Sequence, residues 1–190
     1  MATKYKSIEF YNRIDKIDKL WKALHELSLM AEEFGIDDIF QDNGAKVLQQ
    51  IIYLNFDILP GREGNDAKSQ DGHEWEMKSL NIQKVKGFST NHHTNFEIIS
   101  KYRKVSWSFA IYKNIHLYEI YVMSPKALEP FFRKWEEKLR SDKKRTHLNN
   151  PKIPLKFVQE NGILVYSNEQ GNIIDPITAI KVSANRTTDQ

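Results

Sequence analysis

The fold class that the sequence predicts is α/β, with helices and strands mixed along one chain, and three observations predict it. Apolar residues recur at helical spacing near 17–34, 44–54 and 125–140. Two β-rich runs, at 105–112 and 115–122, stand back to back. A shorter run at 73–80 alternates polar with apolar residues, the period of a strand with two different faces. The 190 residues suffice for one core, since a chain of this size buries about 70% of its unfolded surface. The expected organisation is a single domain over residues 1–166, followed by a polar, weakly ordered extension over 167–190.

Each element has a local cause. The first helix carries Ile17, Leu20, Trp21, Leu24, Leu27, Met30 and Phe34, and Gly35 can close it in a left-handed cap. A second helix starts after Asp42-Asn-Gly44 with Asp42 as N-cap and turns Val47, Leu48, Ile51, Ile52 and Leu54 inward. The turn-rich stretch from Leu59 to Asn65 leads into strand-like segments at 66–68 and 73–80, with Gln70-Asp-Gly72 as the hairpin turn between them. A short helix over 94–102 presents Phe96, Ile99 and Tyr102 to the body. The runs 105–112 and 115–122, joined by Lys113-Asn114, read as the middle of a sheet. Ser124-Pro125 opens a helix to Arg140, inside which Pro130 predicts a kink or a late start. The stretch Asn149 to Pro154 reads as irregular, and 155–158 with 163–166 as a last hairpin.

Composition removes several function classes. There is no cysteine, hence no disulfide, thiol catalysis, iron–sulfur cluster or Cys-ligated zinc, which fits a cytoplasmic compartment. No apolar run approaches the roughly 18 residues of a membrane span. The net charge is +3, but its distribution is uneven: residues 1–50, 51–100, 101–150 and 151–190 carry −2, −2, +7 and 0. A polyanion partner beside an acidic pocket explains that asymmetry, and so does a solvated basic helix.

An acidic residue, any residue and lysine occur together four times, at Asp66, Glu76, Glu136 and Asp142. Glu76-Met77-Lys78 differs from the others because it lies in the alternating segment, where Glu74, Glu76, Lys78 and Leu80 share one face and Trp75 and Met77 the other. The expectation is an apolar face packed on a helix and a polar face in a cleft. The hairpin returns Asp66 toward the polar side. Two carboxylates and an ammonium then meet in a space one divalent ion wide, with the Met77 carbonyl as a further oxygen ligand; that set suits phosphodiester hydrolysis with Mg2+. A surface hairpin with a same-face Glu–Lys pair has the same pattern.

The segment Gly87-Phe-Ser-Thr-Asn-His-His-Thr-Asn95 is dense in short donors and acceptors suited to base edges. A two-histidine metal site, a His-metal finger and a plain polar loop remain open beside that reading, although His92 and His93 would point to opposite faces of a strand. Basic residues Lys101, Arg103 and Lys104, then Arg133 to Arg145, suit phosphate contacts, but Glu136, Glu137 and Asp142 interrupt them.

Taken in order, Asp38-Ile-Phe-Gln-Asp-Asn-Gly44, Leu59-Pro-Gly-Arg-Glu-Gly-Asn-Asp-Ala67, Glu76-Met-Lys-Ser79, Lys86-Gly-Phe-Ser-Thr90, Lys101-Tyr-Arg103, Phe109-Ala-Ile-Tyr112 and Asn149-Asn-Pro-Lys-Ile-Pro154 resemble the PvuII-type restriction endonucleases over roughly residues 18–166. The resemblance implies a PD-(D/E)xK fold, a central mixed sheet flanked by helices, and a homodimer on duplex DNA with the N-terminal helix as dimerisation element. It implies Asp66 and Glu76 as magnesium ligands, beside the Met77 carbonyl already noted, and Lys78 as catalytic lysine, with Tyr102 at the scissile phosphate. It further implies that His92 and His93 read bases beside Ser89, Asn91 and Asn149, and that Asp42 contacts the duplex from the minor-groove side. Asn65 stands where the superfamily has proline, Asn91 where the resembled enzymes have a third histidine, and Pro130 where their helix is unbroken. The residues after Tyr166 have no counterpart.

The function so implied is a type II restriction endonuclease cutting the palindrome CAGCTG to blunt ends with 5′-phosphates. Its system partner is a DNA methyltransferase of the same specificity, a functional and not a physical partner. A structure- or mismatch-specific nuclease of the same fold, and a non-cleaving sequence-specific DNA-binding protein, are the competing readings.

Overall fold

In a computed structural model of the chain, residues 8–36, 38–40, 43–59, 66–142, 144–170 and 174–186 are described. The chain forms two compact units, residues 1–48 and 49–190. In the first, helix α1 (Ile8–Glu33) begins well before the periodic segment that announces it. Gly35 closes it at φ 72°, and the Ile36 N–H donates to the Ala31 carbonyl at 2.9 Å, the cap that a left-handed glycine permits. Along α1, Leu20, Leu29 and Met30 are exposed and Leu24 and Leu27 half-buried. Helix α2 (Gly44–Leu54), which runs from the first unit into the second, starts where a Cβ would lie 2.6 Å from the Asp38 carbonyl, so the close approach itself demands glycine. Asp42, the expected cap, lies outside the described residues.

In the second unit, β1 (Phe56–Ile58), β2 (Ala67–Ser69), β3 (Glu74–Asn81), β5 (Ser106–Lys113), β6 (His116–Met123) and β8 (Ile163–Ser167) form a sheet in the order β1-β2-β3-β5-β6-β8. Neighbours are antiparallel except β3 and β5, which run parallel with α3 (Phe96–Tyr102) in the connection between them. The sheet is therefore mixed, as expected.

The parallel register matters most for the site. It sets Glu76 beside Trp107, Lys78 beside Phe109 and Leu80 beside Ile111. Paired residues project to the same side. The polar stripe of β3 thus shares its face with the main core, in which Trp107, Phe109 and Ile111 pack on Ile99 of α3 and on Leu128, Phe132 and Trp135 of α4 (Pro125–Arg140). The polar face expected in a cleft is thus also the face of the larger core, and Glu76 on it is buried. On the other face Trp75 and Met77 are buried as expected, and the Ser108 hydroxyl donates to Gln50 of α2 at 3.4 Å.

Several elements correct the sequence reading. Strand β1 was not expected between the second helix and the turn-rich stretch; its register with β2 is long-range pairing that a three-residue run does not announce. The donor-rich segment 87–95, for which no strand was expected, and the stretch expected to be irregular contain β4 (Gly87–Ser89) and β7 (Lys152–Pro154), which pair with each other. Residues 155–158, expected as half of a hairpin, start helix α5 (Leu155–Asn161), and β8 pairs instead with β6. Helix α4 runs on through Pro130 from a start at Pro125. The carbonyl that loses its partner there belongs to Lys126, in the exposed first turn where water can serve it. Phe96 is 45% exposed, whereas Ile99 and Tyr102 are buried. After Ser167 the chain forms helix α6 (Pro176–Arg186), which packs on β6 and β8 with Pro176 and Ala179 buried.

Arg103, at the end of α3, joins that helix to α4. Its Nε and Nη2 donate to Glu129 at 3.0 Å each and its Nη1 to Glu136 at 2.5 Å. These bonds hold both carboxyls below the usual glutamate range. A depressed carboxyl adds stability above its unfolded pKa, and that stability is lost as pH falls through the lower folded value. The stability that Glu136→Gln removes, measured by urea unfolding, should therefore be constant from about pH 7 to 5 and shrink below about pH 4. A loss unchanged down to pH 3 would contradict the ion-pair account.

Candidate active site

Asp66 immediately precedes β2, and Glu76 and Lys78 lie two residues apart on β3. The hairpin forms because Gly72 takes φ 84° at the turn and Asp71 ties it, accepting from the Ser69 hydroxyl at 2.9 Å and from the His73 N–H at 3.2 Å. The Asp66 carboxylate then reaches across to accept the Met77 N–H at 2.7 Å. A strand residue offers its N–H and carbonyl to the same neighbour, so the Met77 carbonyl faces that side as well.

Lys78 Nζ lies 2.5 Å from Glu76 and 3.9 Å from Asp66. The Glu76 side chain is only 8% exposed, and burial pushes its carboxyl up to about 7; the Lys78 charge opposes this shift and the Asp66 charge adds to it. For Lys78, burial favours the neutral amine, but the two carboxylates outweigh it and keep the ammonium charged well above the ordinary range. Tyr102 is buried between this cluster and the core, and its hydroxyl is held protonated, chiefly by burial and next by the Glu76 charge. Two carboxylates and a backbone carbonyl are hard oxygen donors, matched to a divalent cation that takes its remaining ligands from water and phosphate. Among the described residues no group of three or more acidic, histidine or cysteine side chains converges.

The second constellation is built by pairing of β4 with β7. The Thr90 hydroxyl and N–H both donate to the Pro151 carbonyl, and Thr94 bridges Leu148. Phe88, Thr90 and Thr94 are buried, which leaves Ser89, Asn91, His92 and His93 exposed on the outer side. The segment is thus half core and half surface, which sets aside the plain polar loop among the open readings. The His92 ring nitrogen Nδ1 lies 3.4 Å from Asn149 and 2.9 Å from the Asn150 side-chain nitrogen. The Asn150 amide can only donate, so its contact matches the tautomer with the ring proton on Nε2, whereas the Asn149 oxygen can only accept and matches the tautomer with the proton on Nδ1. The Asn91 carboxamide accepts the His93 N–H at 2.7 Å, and the His93 ring packs on that of His147, centroids 4.6 Å apart.

The two constellations meet at Tyr102, whose hydroxyl accepts the Asn91 N–H at 3.2 Å. Asp66, Glu76, Met77, Lys78 and Tyr102 are therefore brought together, and Ser89, Asn91, His92, His93 and Asn149 line the adjoining surface. Asp42 and residues 60–65 lie outside the described residues. Sequence reasoning passed over Asn150 and His147. The available signal for Asn150 was its place in Asn-Asn-Pro, where asparagine tolerates the φ of 46° it adopts. Several expected phosphate binders are engaged elsewhere: Lys101 pairs with Glu97, Arg133 with Glu129, Arg140 with Glu136 and Arg145 with Asp142. Lys104, Lys134, Lys138 and Lys144 remain exposed.

No helix among the described residues is long and apolar enough to cross a membrane. A family model described as Restriction endonuclease PvuII matches residues 12–166.

Proposed function

The chain belongs to the PvuII restriction endonuclease family, whose fold it has, and from that premise we propose the specific reaction of this type II site-specific deoxyribonuclease: magnesium-dependent hydrolysis of duplex DNA at the palindrome CAGCTG. Cutting at the centre leaves blunt ends with 5′-phosphates. The observation that carries the proposal is the hydrogen bond between Tyr102 and Asn91, because it sets an acid–acid–lysine cluster against a surface rich in base-reading groups.

Asp66 and Glu76, with the Met77 carbonyl, would hold Mg2+, which supplies charge neutralisation at phosphate and acidification of water. Lys78 stays an ammonium, so it acts as a donor and a positive charge: it orients the attacking water and stabilises the hydroxide left when that water gives its proton to solvent. The Tyr102 hydroxyl accepts from Asn91 and keeps its own proton to donate to an oxygen of the scissile phosphate. His92 is exposed, and an imidazole N–H is a donor suited to guanine N7 or O6 in the major groove. His93, Ser89, Asn91 and Asn149 surround it, with Asp42 assigned to the minor-groove side.

A two-fold palindrome calls for two copies of the reader, which makes a homodimer the working form. The exposed Leu20, Leu29 and Met30 of α1 support that helix as the dimer contact. A methyltransferase of the same specificity would protect host DNA in the cytoplasm, making the pair a restriction-modification system.

Incubation of the protein with a plasmid containing CAGCTG in magnesium should give discrete fragments, with sequenced ends between G and C at the centre. Chelation by EDTA should abolish cutting. Ends at another motif would overturn the assigned site, unsequenced smears would favour a structure-specific nuclease, and gel shifts without turnover would favour a non-cleaving binder.

A further inference from the structure

We propose that Arg103 is a positioning residue for cleavage and not a phosphate contact: by clamping the end of α3 onto α4 it fixes the Tyr102 hydroxyl against the acid–lysine cluster. The inference rests on the proposed role of Tyr102 and concerns what holds that residue in place.

Glu129, Phe132 and Glu136 stand at i, i+3 and i+7 on α4, one stripe of the helix surface. Arg103 lies along this stripe. Its guanidinium spans the two carboxylates with Nε, Nη2 and Nη1 and sits over the Phe132 ring, 5.6 Å from the centroid. Three of its five donors are thereby committed, the Nε–Nη2 fork wholly to Glu129, and two carboxylates offset its charge, which disfavours a phosphate contact. Tyr102, the preceding residue, leans on the same ring, stacked at 6.4 Å. Phe132 therefore supports two consecutive residues, one through its face and the other through the cation above it.

The need for such a clamp follows from the length of α3. Seven residues are two turns, too few to hold a helix by its own hydrogen bonds, so docking sets where its last residue points. Beyond the clamp, the Trp107 indole N–H donates to the Tyr102 carbonyl at 3.2 Å. Removal of the guanidinium leaves two carboxylates on one face of α4 without the cation between them, and the end of α3 loses its anchor. A shift of an ångström at a reacting group can slow a reaction about 100-fold.

The test compares full-length wild type, Arg103→Met, Tyr102→Phe and the double variant on a duplex with the cut site mapped above. Single-turnover cleavage is measured in magnesium, and binding in calcium across a salt series. Arg103→Met should slow the cleavage step about 10–100-fold, with affinity within about twofold and the salt slope unchanged. The double variant should be no slower than the slower single variant, because both changes act through one hydroxyl. A weaker complex whose salt slope falls by about 1 would make Arg103 a phosphate contact and overturn the proposal. So would multiplying effects, or a wild-type rate for Arg103→Met when Tyr102→Phe is slow. A wild-type rate for Tyr102→Phe instead removes the role given to Tyr102 itself. If Arg103→Met does not fold, Glu136→Gln decides: it keeps the Glu129 fork and should still slow cleavage about threefold or more at unchanged affinity, and full speed overturns the clamp.

Discussion

Lys78→Ala should lower the single-turnover cleavage rate by about 10³-fold or more, some 4 kcal/mol in the barrier, while the protein still binds its DNA site in calcium. Two losses combine. The ammonium that orients water and offsets negative charge disappears, and Glu76, only 8% exposed, loses the cation 2.5 Å away. Without that cation, burial raises the Glu76 carboxyl further, which favours its protonated form and weakens it as a metal ligand. Binding survives because the exposed groups around His92 do not depend on Lys78. More than about a tenth of the wild-type rate in the variant would remove Lys78 from the reaction.

Trp107→Ala should cost about 3–5 kcal/mol, the range for emptying a fully buried large aromatic site. The indole is fully buried. It meets Tyr102 edge-on at 4.7 Å and lies 5.8 Å from Phe109 and 6.1 Å from Phe132. For a chain of this size that loss lowers the thermal midpoint by roughly 6–20 °C, measurable by circular dichroism. Trp107→Phe should recover most of the packing but not the hydrogen bond to the Tyr102 carbonyl, so its midpoint should lie between the two. An alanine variant melting within about 2 °C of wild type would show that this core can collapse around the cavity.

What the sequence by itself determined about this protein is what neighbours along the chain can decide. The periodicities of α2 and α4, the β-rich runs of β5 and β6 and the Gly35 cap were all legible, because each depends on contacts within a few residues. So was the hairpin that returns Asp66 to Glu76 and Lys78, since Gln70-Asp-Gly72 carries its own turn chemistry. The site residues themselves were named through ordered motif blocks, which is a matter of resemblance and not of periodicity.

Tertiary structure decided which side of β3 is covered. The alternation of Glu76, Met77 and Lys78 tells two faces apart but not which faces the larger core, and the register with β5 puts the charged pair beside Trp107 and Phe109. That placement raises the Glu76 carboxyl through burial. Pairing of β4 with β7 was likewise invisible: three-residue strands some sixty positions apart have no local signature, and closure of the chain makes them stable only together. Arg103 shows the same limit. In the sequence it belongs to a basic run and reads as a phosphate contact; in the fold, Glu129 and Glu136 stand beside it, because a charge takes its meaning from partners that only packing brings near.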